Sequence, residues 1–283
     1  MRLKKYFLLW LSSALLTACA VFSSVDDRHL AAEKVATTAG WQRMQLDVGT
    51  FVLAAFVPPT LASSETLTIY IEGDGLAWLN AHTPSFDPTP QHPLALQLAL
   101  SDHAHAAVYL ARPCQYVTAQ ARRHCDTRYW TSHRFAPEVI EASDQAISQL
   151  KQYYRATQLV LVGYSGGGAI AALVAARRHD VTQLITVAGN LETAAWATQQ
   201  RLNPLSGSLN PADAWQALLN VPQLHLAGER DHVITTALAI AFQQRFPAGQ
   251  QPKIVIVPGF DHHCCWVEAW PGWMANPATF GRP

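Results

Sequence analysis

"LVLVGYSGGGAIAALVAARRH", residues 159–179, runs from an apolar strand-like segment through a serine and three glycines into an alanine-rich helix. Glycine is among the poorest helix formers, so three at a helix start serve a geometry that side chains would obstruct. Gly163-Tyr164-Ser165-Gly166-Gly167 fits G-x-S-x-G, with a strand before it and a helix after it. At such a turn the serine backbone is strained, and the residues two positions either side approach so closely that a β-carbon would clash. The helix start then aims free N–H groups, that of Gly166 among them, at negative charge forming beside the serine. Ser165 therefore reads as a nucleophile. The competing readings are a tight turn built for packing alone and a phosphate-binding loop.

A serine hydroxyl is a weak nucleophile until a base takes its proton, and the base needs a carboxylate to hold its tautomer. The chain offers both downstream. After the strand-like "QLHLA" comes "GERDHVIT", which puts Asp231 at the carboxyl end of a strand, where the ligand crevice of a parallel sheet lies. Alone, such an aspartate more often caps a helix, and Glu229 is the second acid of that loop. After "KIVIV" comes "PGFDHHCCW", with His262 and His263. Upstream, "IEGDGLAW" places Gly73, Asp74 and Gly75 in a turn after the β-branched run Thr66–Glu72.

The remaining pattern frames these loops. "MQLDVGTFVLAAFV" reads as an opening hairpin around Gly49, and strands follow at Thr66–Glu72, Ala107–Ala111, Leu159–Val162, "QLITVA", "QLHLAG" and "KIVIVPG". Helices are expected over about Gln91–Ser101 and Phe135–Tyr154, the latter with Val139, Ile140, Ala146, Ile147 and Leu150 at helical spacing. Strands apolar throughout, each followed by a helix, predict a parallel sheet covered on both faces. Residues 190–215 are irregular and too long for an ordinary loop, and are expected to cap a site.

Eight strands, a serine after the fifth, an acid after the seventh and a histidine after the eighth resemble the α/β-hydrolase fold of esterase- and lipase-like serine hydrolases, over residues 41–283. The resemblance implies a mostly parallel eight-stranded sheet with helices on both faces and a small cap insertion at 190–215. It implies Ser165, Asp231 and His262 as the catalytic residues. In that family the histidine commonly stands three positions after a glycine, so Gly259 selects His262 over His263. The second oxyanion donor is a backbone amide after the third strand, that of Asp74 with Gly75 as the alternative. Glu72 stands where a histidine often does, which leaves a backbone donor intact. The implied reaction is cleavage of a small-molecule or lipid ester through an acyl-enzyme, with no metal or organic cofactor. Trp196, Leu202 and Leu205 suggest a partly apolar acyl or alcohol group. The same triad supports amidase, peptidase, thioesterase or acyltransferase chemistry. Outside enzymes, the alternative is a non-catalytic envelope binding lipoprotein, which would be expected to have lost one of the three catalytic residues.

With 283 residues, 49% hydrophobic and 14% charged, the chain suffices for a single α/β core. Its start has basic Arg2, Lys4 and Lys5, then an apolar run too short for a membrane span, as in a signal peptide over residues 1–18. Leu16-Thr17-Ala18-Cys19 resembles a bacterial lipobox, which implies an acylated Cys19 anchored in a membrane. Ala20 in place of an aspartate implies the outer membrane of a Gram-negative cell. Residues 19–40 are then expected to be a polar tether. Losing those three bases from an even balance of 20 Lys+Arg and 20 Asp+Glu leaves a mildly acidic chain, with nothing to attract nucleic acid. Four further cysteines suit an exported protein. Cys114 and Cys125 share a loop and favour a bridge, while Cys264 and Cys265 are adjacent; four cysteines allow three pairings. Zinc on "HHCC" is disfavoured because adjacent residues seldom converge on one tetrahedral ion. "RPCQY" and "HCCW" are similar to stretches in a group of proteobacterial lipoproteins assigned to this fold, a resemblance that implies no substrate.

Overall fold

The computed structural model describes residues 24–61 and 64–275. The expected leader and Cys19 lie outside the described residues. Eight strands form one sheet: β1 (Gln42–Asp47), β2 (Val52–Val57), β3 (Thr66–Ile71), β4 (Ala107–Leu110), β5 (Gln158–Tyr164), β6 (Val181–Val187), β7 (Gln223–Gly228) and β8 (Lys253–Val257). Their order is β1-β2-β4-β3-β5-β6-β7-β8. The first two pairings, β1 with β2 and β2 with β4, are antiparallel, and the rest are parallel.

The helices are α1 (Val25–Thr38), α2 (Leu94–Ser101), α3 (Pro137–Tyr153), α4 (Gly166–Ala175), α5 (Thr193–Gln199), α6 (Thr236–Gln243) and α7 (Trp266–Ala275). They cover both faces because strand side chains alternate between faces. On β3, Leu67, Ile69 and Ile71 join α3 and α4 in one core, while Tyr70 joins α2 and α7 in the other. On β5, Leu159 and Leu161 face the first core and Val162 and Tyr164 the second. A two-stranded ribbon, Trp78–Asn80 with Thr83–Pro84, follows the loop after β3.

The segment expected to be a tether instead contains α1. Ser24 and Asp27 form a capping box that satisfies the first N–H groups. Arg28, Ala32 and Ala36, at i, i+4 and i+8, are buried, and Arg28 donates to the Thr89 carbonyl at 2.8 Å. The inward face is made of alanine and an arginine stem, so the helix carries little hydrophobic signal in sequence. The 190–215 segment contains α5 and a short 3₁₀ turn at Pro211–Ala214.

Candidate active site

The β5–α4 turn answers the glycine question. Ser165 sits at φ 51° and ψ −121°, outside the regions L-residues favour. A β-carbon on Gly163 would lie 2.3 Å from the Gly167 carbonyl oxygen, and one on Gly167 would lie 2.2 Å from that of Ile71 on β3. Any side chain at either position would push the turn off the sheet. The Ser165 N–H is tied to the Val187 carbonyl on β6, and the Ser165 carbonyl accepts from Asn190 and Gly168. The serine is thus fixed by its backbone, which leaves its hydroxyl available to the base.

His262 Nε2 lies 3.1 Å from Ser165 Oγ, and His262 Nδ1 lies 2.8 Å from Asp231 Oδ2. The structure brings together residues 97 and 31 positions apart by aligning the carboxyl ends of β5, β7 and β8. Asp231 is buried; its Oδ1 accepts from the N–H groups of Val233 and Ile234, each at 2.8 Å. That network fixes its rotamer and keeps Oδ2 for the imidazole. Glu229, the other acid of that loop, accepts instead from the Gly259 N–H at 2.9 Å and so holds the loop that carries His262. His263 does not reach the serine; its Nδ1 lies 3.1 Å from the Tyr164 hydroxyl, which also donates to the His262 carbonyl at 3.1 Å. Tyr164 is the unspecified residue of G-x-S-x-G. Only the fold shows that its phenol clamps the histidine loop from beneath.

The loop after β3 closes the site. Gly73 packs so closely that an added β-carbon would lie 3.3 Å from Ser165 Cβ. The N–H groups of Gly166, Asp74 and Gly75 have no protein acceptor among the described residues. The Asp74 carboxylate lies beside Gly166, and both Arg112 and Arg134 donate to it. Burial opposes its ionisation, but Arg134 and Arg112 outweigh that and hold its pKa below the ordinary value. Sequence reading missed both arginines.

Glu72 is fully enclosed behind the loop. Burial pushes its carboxyl up to about 7, opposed by the hydrogen bond from the Gly73 N–H and by the nearby backbone of Ala95 and Leu96 at the start of α2. Its Oε1 accepts from the Gly73 N–H at 2.9 Å; Oε2 is buried without a hydrogen-bond partner among the described residues. So the residue in the place of a histidine braces the turn from behind. A cavity of about 390 Å³ opens over Ser165 and His262, walled by Leu76, Asn190, Trp196, Val233 and Ile234. The Asn190 side-chain oxygen is buried without a hydrogen-bond partner among the described residues. Of the expected cap residues, Trp196 lines this cavity, whereas Leu202 and Leu205 line a neighbouring one. The sulfurs of Cys114 and Cys125 are bonded, as are those of Cys264 and Cys265.

The family model for Serine hydrolase (FSH1) matches residues 92–263, a span that holds Ser165, Asp231 and His262. The chain belongs to the FSH1 serine hydrolase family. Solved structures similar to this FSH1 hydrolase include Est1E from Butyrivibrio proteoclasticus, at 16% identity and TM-score 0.54, covering 84% of this chain and 99% of that one. An α/β serine hydrolase homologue from Coxiella burnetii matches at 15% identity and TM-score 0.55, over 83% and 94% of the two chains. An esterase of Pyrococcus furiosus matches at 11% identity and TM-score 0.59, over 86% and 91%. At such identities the likeness is one of fold. A search of curated protein sequences returns no match.

Proposed function

We propose that this serine hydrolase cleaves a carboxylic ester through an acyl-enzyme on Ser165 and works anchored in the envelope of a Gram-negative cell. The observation that carries the chemistry is the Ser165–His262–Asp231 chain of contacts at 3.1 and 2.8 Å. As Ser165 Oγ attacks the ester carbonyl carbon, His262 takes the hydroxyl proton and Asp231 stabilises the imidazolium. The N–H of Gly166 and that of Asp74 or Gly75 hold the oxyanion. When the tetrahedral intermediate collapses, the imidazolium protonates the departing alkoxide. A water deprotonated by His262 then attacks the acyl-enzyme and releases the carboxylic acid. These steps call on no metal or organic cofactor.

The apolar walls at Trp196, Val233 and Ile234 suit a substrate with a partly apolar acyl or alcohol group. The envelope location rests on the leader pattern ending at Cys19, whose lipidation would supply the membrane anchor. Two bonded cysteine pairs fit an oxidising compartment.

The test is labelling of the full-length protein in detergent with a fluorophosphonate probe, followed by a screen of esters, thioesters and amides. Labelling should vanish in Ser165→Ala, fall by about 10³-fold or more in His262→Ala, and largely persist in His263→Ala. Thioester or amide turnover exceeding ester turnover would move the assignment to those classes. A folded wild type that neither labels nor turns over any substrate would refute the catalytic reading in favour of a binding lipoprotein.

A further inference from the structure

A second cavity, of about 640 Å³, adjoins the one over Ser165, and Trp196 forms part of the wall of both. Its walls carry Arg134 and Arg201 with Trp78, His82 and Leu202, and none of its lining residues is Asp or Glu. The ordinary fate of an exposed arginine is to lie in solvent. Here, though, the charge lines a recess that shares the Trp196 wall with the active-site cavity.

The local balance of charge is positive. Arg112 and Arg134 both pair with the one carboxylate of Asp74, and among the described residues no second carboxylate forms an ion pair with either. Arg134 spends Nε on the Thr131 carbonyl and Nη1 on Asp74, its guanidinium centre lies 5.4 Å from the Trp196 ring centroid, and its Nη2 has no partner among the described residues. Arg201 is exposed, has no ion pair among the described residues, and follows the C-cap of α5 at φ 54°, a position usually given to glycine.

Resting on the hydrolase reading above, we propose that this second cavity is a subsite for a carboxylate carried by the ester substrate, several bonds from the scissile carbonyl. Arg201 binds the carboxylate, Arg134 adds its excess charge, and the Trp78 and Trp196 faces take the spacer between. A single negative charge matches one unpaired guanidinium plus one already shared with Asp74, whereas a phosphate would bring about two. This narrows the substrate from an apolar ester to an amphipathic one with an acid terminus.

The test compares kcat/KM within two pairs of esters: mono-4-nitrophenyl adipate with 4-nitrophenyl hexanoate, and 4-acetoxybenzoate with its methyl ester. The pairs place the charge on the acyl side and on the alcohol side respectively. At low ionic strength the charged member of one pair should be preferred about tenfold, the effect of one charge-assisted hydrogen bond. That preference should shrink in high salt, fall to about one in Arg201→Gln and survive in part in Arg201→Lys. Binding is measured separately on full-length Ser165→Ala protein by calorimetry, where monomethyl adipate should bind more tightly than dimethyl adipate. Ratios at or below one in both pairs, or a preference untouched by Arg201→Gln, would overturn the subsite. If no ester turns over, the ester reading fails, and the calorimetric comparison still decides whether the cavity selects a carboxylate.

Discussion

Replacing Glu72 with glutamine should remove a pH-dependent loss of stability. Its carboxyl titrates at about 7 in the folded protein against 4.5 as the ordinary value, with burial as the main cause. Between those values the folded state binds a proton that the unfolded chain has released, so stability is greatest below about pH 4.5 and falls as pH rises through 7. At about 1.4 kcal/mol for each pH unit separating the two, the loss is about 3 kcal/mol by pH 8. Glutamine keeps an oxygen for the Gly73 N–H and cannot ionise. Urea unfolding of wild type and Glu72→Gln, with both disulfides intact, would be followed by circular dichroism at pH 5 and pH 8. The variant's stability relative to wild type should improve between the two by about 2–3 kcal/mol. The difference is the quantity to read, because buried His225, pushed down to about 3, imposes the opposite slope below pH 6.5 in both proteins. An unchanged difference, within about 0.5 kcal/mol, would show that the Gly73 N–H and the start of α2 hold the carboxylate ionised in spite of burial.

Two further expectations concern the same frame. Arg112→Gln, which leaves Asp74 with one arginine instead of two, should cost about 3 kcal/mol of stability and lower kcat on a neutral ester by about tenfold or more; urea unfolding and ester kinetics check it, and an unaltered kcat would detach the arginine from the oxyanion loop. Replacing Cys114 and Cys125 by serine, which opens a bridge with a sequence separation of 11, should cost about 3 kcal/mol by the loop-entropy relation, measured as a shift in urea midpoint; no shift would show that packing alone holds the loop.

The fold was legible where the chemistry sits at strand ends. Ser165 directly follows an apolar strand, and Asp231 and His262 stand in the short loops just past Gly228 and Val257, so a local pattern marked both the strand and the loop at its exit. What escaped was non-local or weakly apolar. Arg112 and Arg134 reach Asp74 across 38 and 60 positions, and no local periodicity announces an ion pair of that span. α1 hid because its inward residues are alanines and one arginine, whose burial depends on the Asp87–Thr89 segment lying across from it. Tyr164 occupied a motif position that tolerates many residues, so its hydroxyl contacts had no sequence signature. Glu229 and Asp231 were separable only once each carboxylate was seen with its own donors, Gly259 for one and His262 for the other.

The placing of Asp74 explains why so much of the site lies outside the motif. A carboxylate beside Gly166 would oppose an oxyanion forming at Ser165; two like charges about 5 Å apart repel by about 3 kcal/mol at an effective dielectric of 20. Two arginines on that one carboxylate reverse the sign, so the loop presents its N–H groups against a net positive background. The same pairing fixes the loop through its side chain, which leaves the Asp74 and Gly75 amides unencumbered. Removing the carboxylate alone, in Asp74→Asn, would therefore leave two buried arginines facing each other. The triple arrangement makes sense as a unit, and the positive excess it leaves is the same excess that faces the second cavity through Arg134.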